Sequence, residues 1–318
     1  MESPRTGKAL DGGGSLVGRS RALQKVRALI QKYAPTDATV LVTGETGTGK
    51  EVVAGTIHQN SRRSNGPFLP LNCAALSEHL IESELFGHER GAYTGAAART
   101  IGLMEAANRG TLFLDEIGEM APHLQAKLLR AFEEKAIRRL GSHHSTAIDI
   151  RVVAGTNVDV AVAVEAGTFR KDLYYRLGAI RIHLPPLRER PEDIPLLAAH
   201  FLKAFRTEAE SPVPSFDAHL LERLMAYHWP GNIRELKNLV GATITPLDTT
   251  VRTIAFQHLP EWIQSELTGR GERILGGTER DRILAALQKA RWNKKFAAKL
   301  LGCSRPTLYK KMKKHGIE

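Results

Sequence analysis

The chain has 318 residues, 42% of them apolar, a net charge of +11 and two cysteines. That length exceeds what one hydrophobic core usually organises, so two or three domains are expected. No apolar run reaches the roughly 18 residues of a membrane span, and the polar, glycine-rich residues 1–15 lack the apolar stretch of a signal peptide. Cys73 and Cys303 lie far apart in sequence, which argues against a disulfide framework and fits a reducing cytoplasm.

In chain order, residues 1–14 read as a tail. Residues 38–43 (ATVLVT) form a β-branched apolar run, the first buried strand. Residues 68–72, 111–114, 148–154 and 180–184 read as further short strands, with helical patterns such as 51–59 and 121–134 between them. Strands alternating with helices predict an α/β domain over 15–186, a parallel sheet flanked by helices. After Pro185 and Pro186 the strands are expected to stop. Residues 195–208, 217–227 and 232–243 read as helices of a small all-α domain spanning 187–266. Gly269, Gly271, Gly276 and Gly277 mark 267–278 as a linker, and 279–318 is helical again. From residue 276 onward there are 12 Lys and Arg against 3 Asp and Glu, so nine of the eleven net positive charges sit at this end. Charge confined to one end suggests a polyanion-binding module, although a solubilising tail would share it.

Directly after the first strand comes Gly44-Glu45-Thr46-Gly47-Thr48-Gly49-Lys50, spaced as a P-loop and opening a helix. Glycines there let backbone N–H groups turn around phosphate oxygens, and the helix N-terminus adds partial positive charge. Lys50 is placed to reach β- and γ-phosphates. Glu51 stands where a Ser or Thr usually supplies a hydroxyl to Mg²⁺, so Thr48 or water has to substitute. Residues 111–116 (TLFLDE) are an apolar strand ending in two acids. Asp115 is suited to hold Mg²⁺, and Glu116 to polarise an attacking water as general base.

The basic end carries its own pattern. Ile283, Leu284 and Leu287 give one amphipathic helix; Phe296, Ala297, Leu300 and Leu301 give a second. Gly302 and Cys303 form the turn, Ser304 caps the next helix, and Pro306 fits its first turn. That last helix points Leu308 and Met312 inward and Lys310, Lys311, Lys313 and Lys314 outward, a helix-turn-helix with a basic second helix. Arg305, Thr307 and Lys311 are candidates for groove contacts; Lys310, Lys313 and Lys314 are candidates for phosphate contacts. Such modules bind paired half-sites as dimers.

Together with residues 84–96 (ELFGHERGAYTGA), these motifs resemble the AAA+ ATPases that activate sigma-54-dependent transcription in bacteria, the enhancer-binding proteins. The resemblance runs from about Leu16 to the C-terminus. Gly91, Ala92, Tyr93, Thr94, Gly95 and Ala96 look like the family's GAFTGA loop, with Tyr93 in place of Phe. In that family the loop contacts sigma-54 in the closed promoter complex. Read without the family, it is a glycine-bounded surface loop.

Further positions carry over from the resemblance. Asn72 matches the switch asparagine that holds the catalytic glutamate from water. Asn157 matches sensor I, Arg170 and Arg176 the arginine fingers, and Arg234 sensor II. Val17 and Gly18 match the adenine seat, and residues 279–318 resemble the family's Fis-type module. Glu51 is what this family usually shows after the P-loop lysine.

The resemblance implies a cytoplasmic bacterial ATPase using ATP and Mg²⁺, working as a hexamer ring on enhancer DNA, sigma-54 and RNA polymerase holoenzyme, with no membrane partner. A receiver or other sensory domain often precedes this core in the family. Here the core begins by about Leu16, so none is expected within the chain. Two rival readings are another AAA+ remodelling ATPase and a DNA-binding repressor with the ATPase fold as scaffold. The 12 histidines show no HExxH or Cys/His spacing for a metal-dependent hydrolase.

Overall fold

Helix α1 (Arg21–Tyr33) forms where Ser20 accepts the Leu23 N–H as N-cap and Leu23, Val26 and Ile30 recur on one buried stripe. It begins the computed structural model, which describes residues 16–93, 98–206, 213–248 and 250–268. Beyond these it describes 280, 283–284, 286–287, 290, 292–294, 297–298, 301, 308–309, 311–312 and 315–317. The chain packs as two units, Met1–Ala204 with His228–Asn238, and Phe205–Tyr227 with Leu239–Glu318.

In the first unit, β1 (Val40–Thr43) leads into α2 (Lys50–Gln59), then β2 (Phe68–Asn72) and α3 (Glu78–Phe86). A hairpin of β3 (Gly87–His88) and β4 (Thr100–Ile101) precedes α4 (Leu103–Ala106) and β5 (Thr111–Asp115). Helix α5 (Pro122–Glu134), with proline at its first position, is followed by a second hairpin, β6 (Ala136–Arg138) and β7 (Ser145–Ala147). Then come β8 (Arg151–Thr156), α6 (Val160–Glu165), α7 (Lys171–Leu177), β9 (Ile180–His183) and α8 (Ile194–Phe205).

Five of these strands form one parallel sheet in the order β2-β5-β8-β1-β9. Alternate residues point to opposite faces. Val40, Val42, Phe113, Val153 and Ile182 pack with α1 and α2, while Leu41, Leu112, Leu114, Val152 and Ala154 pack with residues of α3, α5 and α7. Burial on both faces is why the central strands read as continuous apolar runs. Parallel pairing brings the C-terminal ends of β1, β5 and β8 abreast, with β8 between the other two, and open α/β sheets bind ligands at such ends.

One strand differs from the sequence reading. The apolar run 148–154 is not a single strand: Ile148 belongs to the second hairpin's exit, its N–H donating to the Lys135 carbonyl at 2.8 Å, and β8 starts at Arg151. Arg151 is buried, its guanidinium donating to the carbonyls of Ala34 (2.5 Å) and Tyr33 (3.0 Å) and so satisfying the end of α1.

The second unit is mainly helical. It contains β10 (Ser215–Phe216), α9 (Ala218–Ala226) capped by Asp217, the second half of α10 (Asn232–Ile244), β11 (Thr253–Ile254) and α11 (Glu261–Leu267). Strands therefore do not stop at Pro186, since β10 and β11 pair in parallel over two residues each. Near the C-terminus, Ile283, Leu287, Ala290, Ala297, Leu308 and Met312 share one apolar cluster with Leu284 and Leu301 against it. The inward positions expected of a helix-turn-helix are thus met among the described residues.

Candidate active site

The P-loop winds from β1 into α2 with Gly44, Gly47 and Gly49 at φ of 157°, 82° and 104°. At Gly47 a Cβ would collide with the Gly231 carbonyl, so glycine is required there by space as well as by backbone. The Gly47 carbonyl accepts the N–H groups of Ile233 (2.9 Å) and Arg234 (3.3 Å), tying the loop to the start of α10. Thr48 is buried and its hydroxyl donates to the Glu45 carbonyl at 2.7 Å, so it is turned into the loop. Glu51 is exposed on the first turn of α2.

Lys50 is buried at the loop's end. Its Nζ donates to the Gly44 carbonyl at 3.2 Å and to Glu116 Oε1 at 3.1 Å. Glu116, left-handed at φ 52°, uses its other oxygen to accept the Asn157 N–H at 3.1 Å. Asp115 beside it is half-buried, with Oδ1 shielded and without a hydrogen-bond partner. Burial pushes its carboxyl up from the usual range, against the pull of Lys50. An acceptor oxygen left without a donor at the strand end, next to a phosphate loop, fits a site for hydrated Mg²⁺.

Asn157 bridges β8 to the P-loop, its Nδ2 donating to Thr46 Oγ1 at 3.0 Å. Asn72 pairs with Asp115 in the β2–β5 register, yet its Oδ1 accepts the Ala74 N–H at 2.9 Å. The expected hold of Asn72 on Glu116 is therefore not made; Lys50 and the Asn157 backbone hold that carboxylate. Arg170 and Arg176 flank α7 on its exposed side. Arg170 pairs with Asp172 at 2.7 Å, which holds the Asp172 carboxyl below its ordinary range, and Arg176 donates to the Phe132 carbonyl at 3.3 Å. Arg234 is exposed, and its backbone N–H donates to the Gly47 carbonyl of the P-loop. Val17 and Gly18 precede α1, with Gly18 at φ 143°.

Three residues that sequence reasoning missed, Arg188, Asn232 and Arg190, fasten this loop. Arg188 forms a two-point ion pair with Glu45 (2.6 and 2.9 Å), holding the Glu45 carboxyl below its usual range. Asn232 donates to Glu45 and to the Thr46 carbonyl and accepts the Leu187 N–H. Arg190 and Asp193 are fully buried nearby. The signal was the dense charge of residues 188–193, a pattern that ordinarily means a solvated turn.

The Gly91 loop follows β3 within the first unit, between the two strands of the β3–β4 hairpin. Gly91 has φ 82° and open space around it, and Tyr93 is 46% exposed with its ring edge-on to His88 at 5.1 Å. Arg139, next to the second hairpin, joins Glu89 at 2.8 Å to Glu105 at 2.8 Å and so ties the two hairpins together. Thr94, Gly95 and Ala96 lie outside the described residues. So do Ser304, Arg305, Thr307, Lys310, Lys313 and Lys314; Lys311 is described and is half-buried.

A phosphate loop after β1, a pair of acids at the end of β5 and the β3–β4 hairpin define a P-loop nucleotide hydrolase of AAA+ type. Comparison with known proteins makes this specific. The sigma-54 interaction domain family matches residues 16–183, the AAA+ ATPase lid domain 188–273, and the Fis family of bacterial regulatory proteins 275–315. The transcriptional regulatory protein ZraR of Escherichia coli K12 is 47% identical over 301 residues, covering 93% of this chain and 68% of that protein. The regulatory protein AtoC of the same organism is 43% identical over 317 residues, covering 96% and 68%. Among solved structures, NtrX from Brucella abortus in complex with ATP aligns at a TM-score of 0.71 and 32% identity, covering 96% of this chain and 70% of that one. The chain belongs to the sigma-54 activator family of bacterial transcription regulators, with an AAA+ ATPase core and a Fis-type DNA-binding end.

Proposed function

We propose that this chain hydrolyses ATP to remodel the closed complex of sigma-54 RNA polymerase holoenzyme while bound to double-stranded enhancer DNA. The observation that carries the reading is the Lys50–Glu116–Asn157 interlock beside the unpartnered Asp115 oxygen, on the same unit as the exposed Tyr93 hairpin. The ATP complex of the related NtrX supports the choice of nucleotide.

Triphosphate oxygens entering the Gly44–Lys50 loop compete with Glu116 for Lys50. Once Lys50 turns to the phosphates, Glu116 loses its ion pair and is free to accept a proton from water. That water attacks the γ-phosphorus, the bond to the bridging oxygen breaks, and ADP leaves with that oxygen. Asp115 would hold Mg²⁺, directly or through water, and the ion would supply charge neutralisation at the phosphates. Asn157, already on Thr46, reports the γ-phosphate to β8, and Asn72 turns from Ala74 to Glu116 as the switch. Glu45, Thr46, Gly47, Thr48, Gly49 and Glu51 shape the cradle, Arg234 serves as sensor II, and Val17 and Gly18 seat adenine.

Arg170 and Arg176, both exposed, serve a neighbour's γ-phosphate, which implies a ring; a cytoplasmic hexamer is the form the family suggests. Gly91, Ala92, Tyr93, Thr94, Gly95 and Ala96 contact sigma-54. Ser304, Arg305, Thr307 and Lys311 contact DNA, the last three in the groove, and Lys310, Lys313 and Lys314 contact phosphates, in a dimeric module over 279–318. Residues 15–186 are the ATPase subdomain, 187–266 the lid and 267–278 the linker. Glu116→Gln tests the chemistry. Turnover should fall about 10²–10⁴-fold with ATP binding kept, the usual worth of a general base; retained turnover would remove Glu116 from that role.

A further inference from the structure

Between β9 and α8, residues 188–193 carry five charged side chains, and two of them, Arg190 and Asp193, are buried to 1% exposure or less. Asp193 faces the segment before α1. Its Oδ1 accepts the N–H groups of Arg19 (2.6 Å) and Ser20 (2.8 Å), and its Oδ2 accepts the Ser20 hydroxyl (2.7 Å). At Gly18 a Cβ would stand 2.6 Å from Asp193 Cγ, at a backbone φ of 143° that side chains rarely adopt. The backbone of residues 17–20 is moulded on this one carboxylate.

Arg190 faces the other way. Its Nη2 donates to the Thr48 carbonyl of the P-loop at 3.0 Å, and its Nε is buried without a partner. The Arg190 carbonyl accepts the Asp193 N–H at 3.0 Å, so both side chains leave one tight turn (Pro191–Asp193). A buried carboxylate with three donors is a stiff tether, because each bond is charge-assisted and water cannot replace it.

We infer that Asp193 and Arg190 are positioning residues that fix the spacing between the Val17–Gly18 backbone and the phosphate loop, so that one nucleoside triphosphate is gripped at both ends at once. The inference rests on reading residues 17–18 as the purine seat and 44–50 as the phosphate cradle. A ligand that bridges two seats gains from the second only if their separation is already set; otherwise ordering them is taken out of the binding free energy. Residues that merely support the fold would weaken all ligands alike or none.

The test is competition binding on the full chain with ATP and with inorganic tripolyphosphate, which engages the cradle alone. Asp193→Ala, which deletes three hydrogen bonds at the purine end, should weaken ATP about tenfold and leave tripolyphosphate within about twofold. Asp193→Asn, which keeps an acceptor for the two N–H groups, should restore most of the ATP affinity. Arg190→Met should weaken ATP about tenfold and tripolyphosphate by less, since Arg190 also holds the Thr48 carbonyl of the cradle. If Asp193→Ala does not fold, Ser20→Ala deletes one of the same bonds and should lower ATP affinity about threefold, with tripolyphosphate unchanged. Equal weakening of both ligands, or of neither, in a folded Asp193 or Ser20 variant overturns the inference. Were the unaltered chain to bind ATP no better than tripolyphosphate, the purine-seat reading would fall and the brace with it; an ATP advantage that survives in the variants sinks the brace alone.

Discussion

Asn232→Ala probes how the P-loop is held. Asn232 is fully buried and left-handed at φ 53°, a conformation that asparagine tolerates better than alanine. Its Oδ1 accepts the Leu187 N–H at 2.7 Å, and its Nδ2 donates to Glu45 Oε2 at 3.1 Å and the Thr46 carbonyl at 3.2 Å. Truncation leaves the buried Leu187 N–H without an acceptor, which costs about 1–3 kcal/mol. Placing alanine at positive φ adds about 1 kcal/mol. The sum, about 3 kcal/mol, corresponds to a fall in Tm of about 6–12 °C for a domain of this size. Asn232→Gly removes the backbone part and should recover about 1 kcal/mol of that loss. Thermal melts followed by circular dichroism read both, and the KM for ATP should rise in both as Glu45 and Thr46 lose a tie. An Asn232→Ala melt within about 2 °C of the parent, or a glycine variant less stable than the alanine one, would refute this account of the junction.

Two further substitutions separate the motor from what it acts on. Tyr93→Ala removes a ring that is half exposed and touches His88 only at its edge, so ATP turnover should stay within about twofold while sigma-54 binding is lost. A joint measurement of both checks it, and loss of turnover would place Tyr93 in the fold. Lys310→Ala should weaken binding to every duplex and reduce the slope of log K against log salt by about one. Titrations at several salt concentrations read this, and an effect confined to one base position would contradict a phosphate contact.

What was legible in the sequence is what local spacing encodes. Gly44 to Lys50 and Asp115 with Glu116 follow directly from strand ends, and the structure brings them within hydrogen-bond reach through Lys50 and Glu116. Strands β2 and β9 begin where their apolar runs begin. What was not legible depends on partners more than a hundred residues away. Asn232 reads as a helix start, Arg188 and Asp193 as a solvated turn, and Arg151 as the middle of a strand; each is fixed by a distant group that no local window contains. Helix α1 was missed because its charged outer face dilutes a stripe of only three buried residues. Asn72 shows the reverse case, a position placed correctly beside Asp115 whose side chain bonds locally to Ala74. A short amide can satisfy itself within its own turn, and sequence spacing does not say which partner wins.

The central claim is that ATP hydrolysis by this chain drives sigma-54 polymerase to open a promoter. Permanganate footprinting of a sigma-54 promoter carrying an upstream binding site measures it directly, with purified chain, holoenzyme and nucleotide. The account predicts melting with ATP and Mg²⁺, none with a non-hydrolysable analogue, and none with Glu116→Gln or Tyr93→Ala. Full ATP turnover by the unaltered chain without melting, or equal melting by the Tyr93→Ala protein, would contradict it.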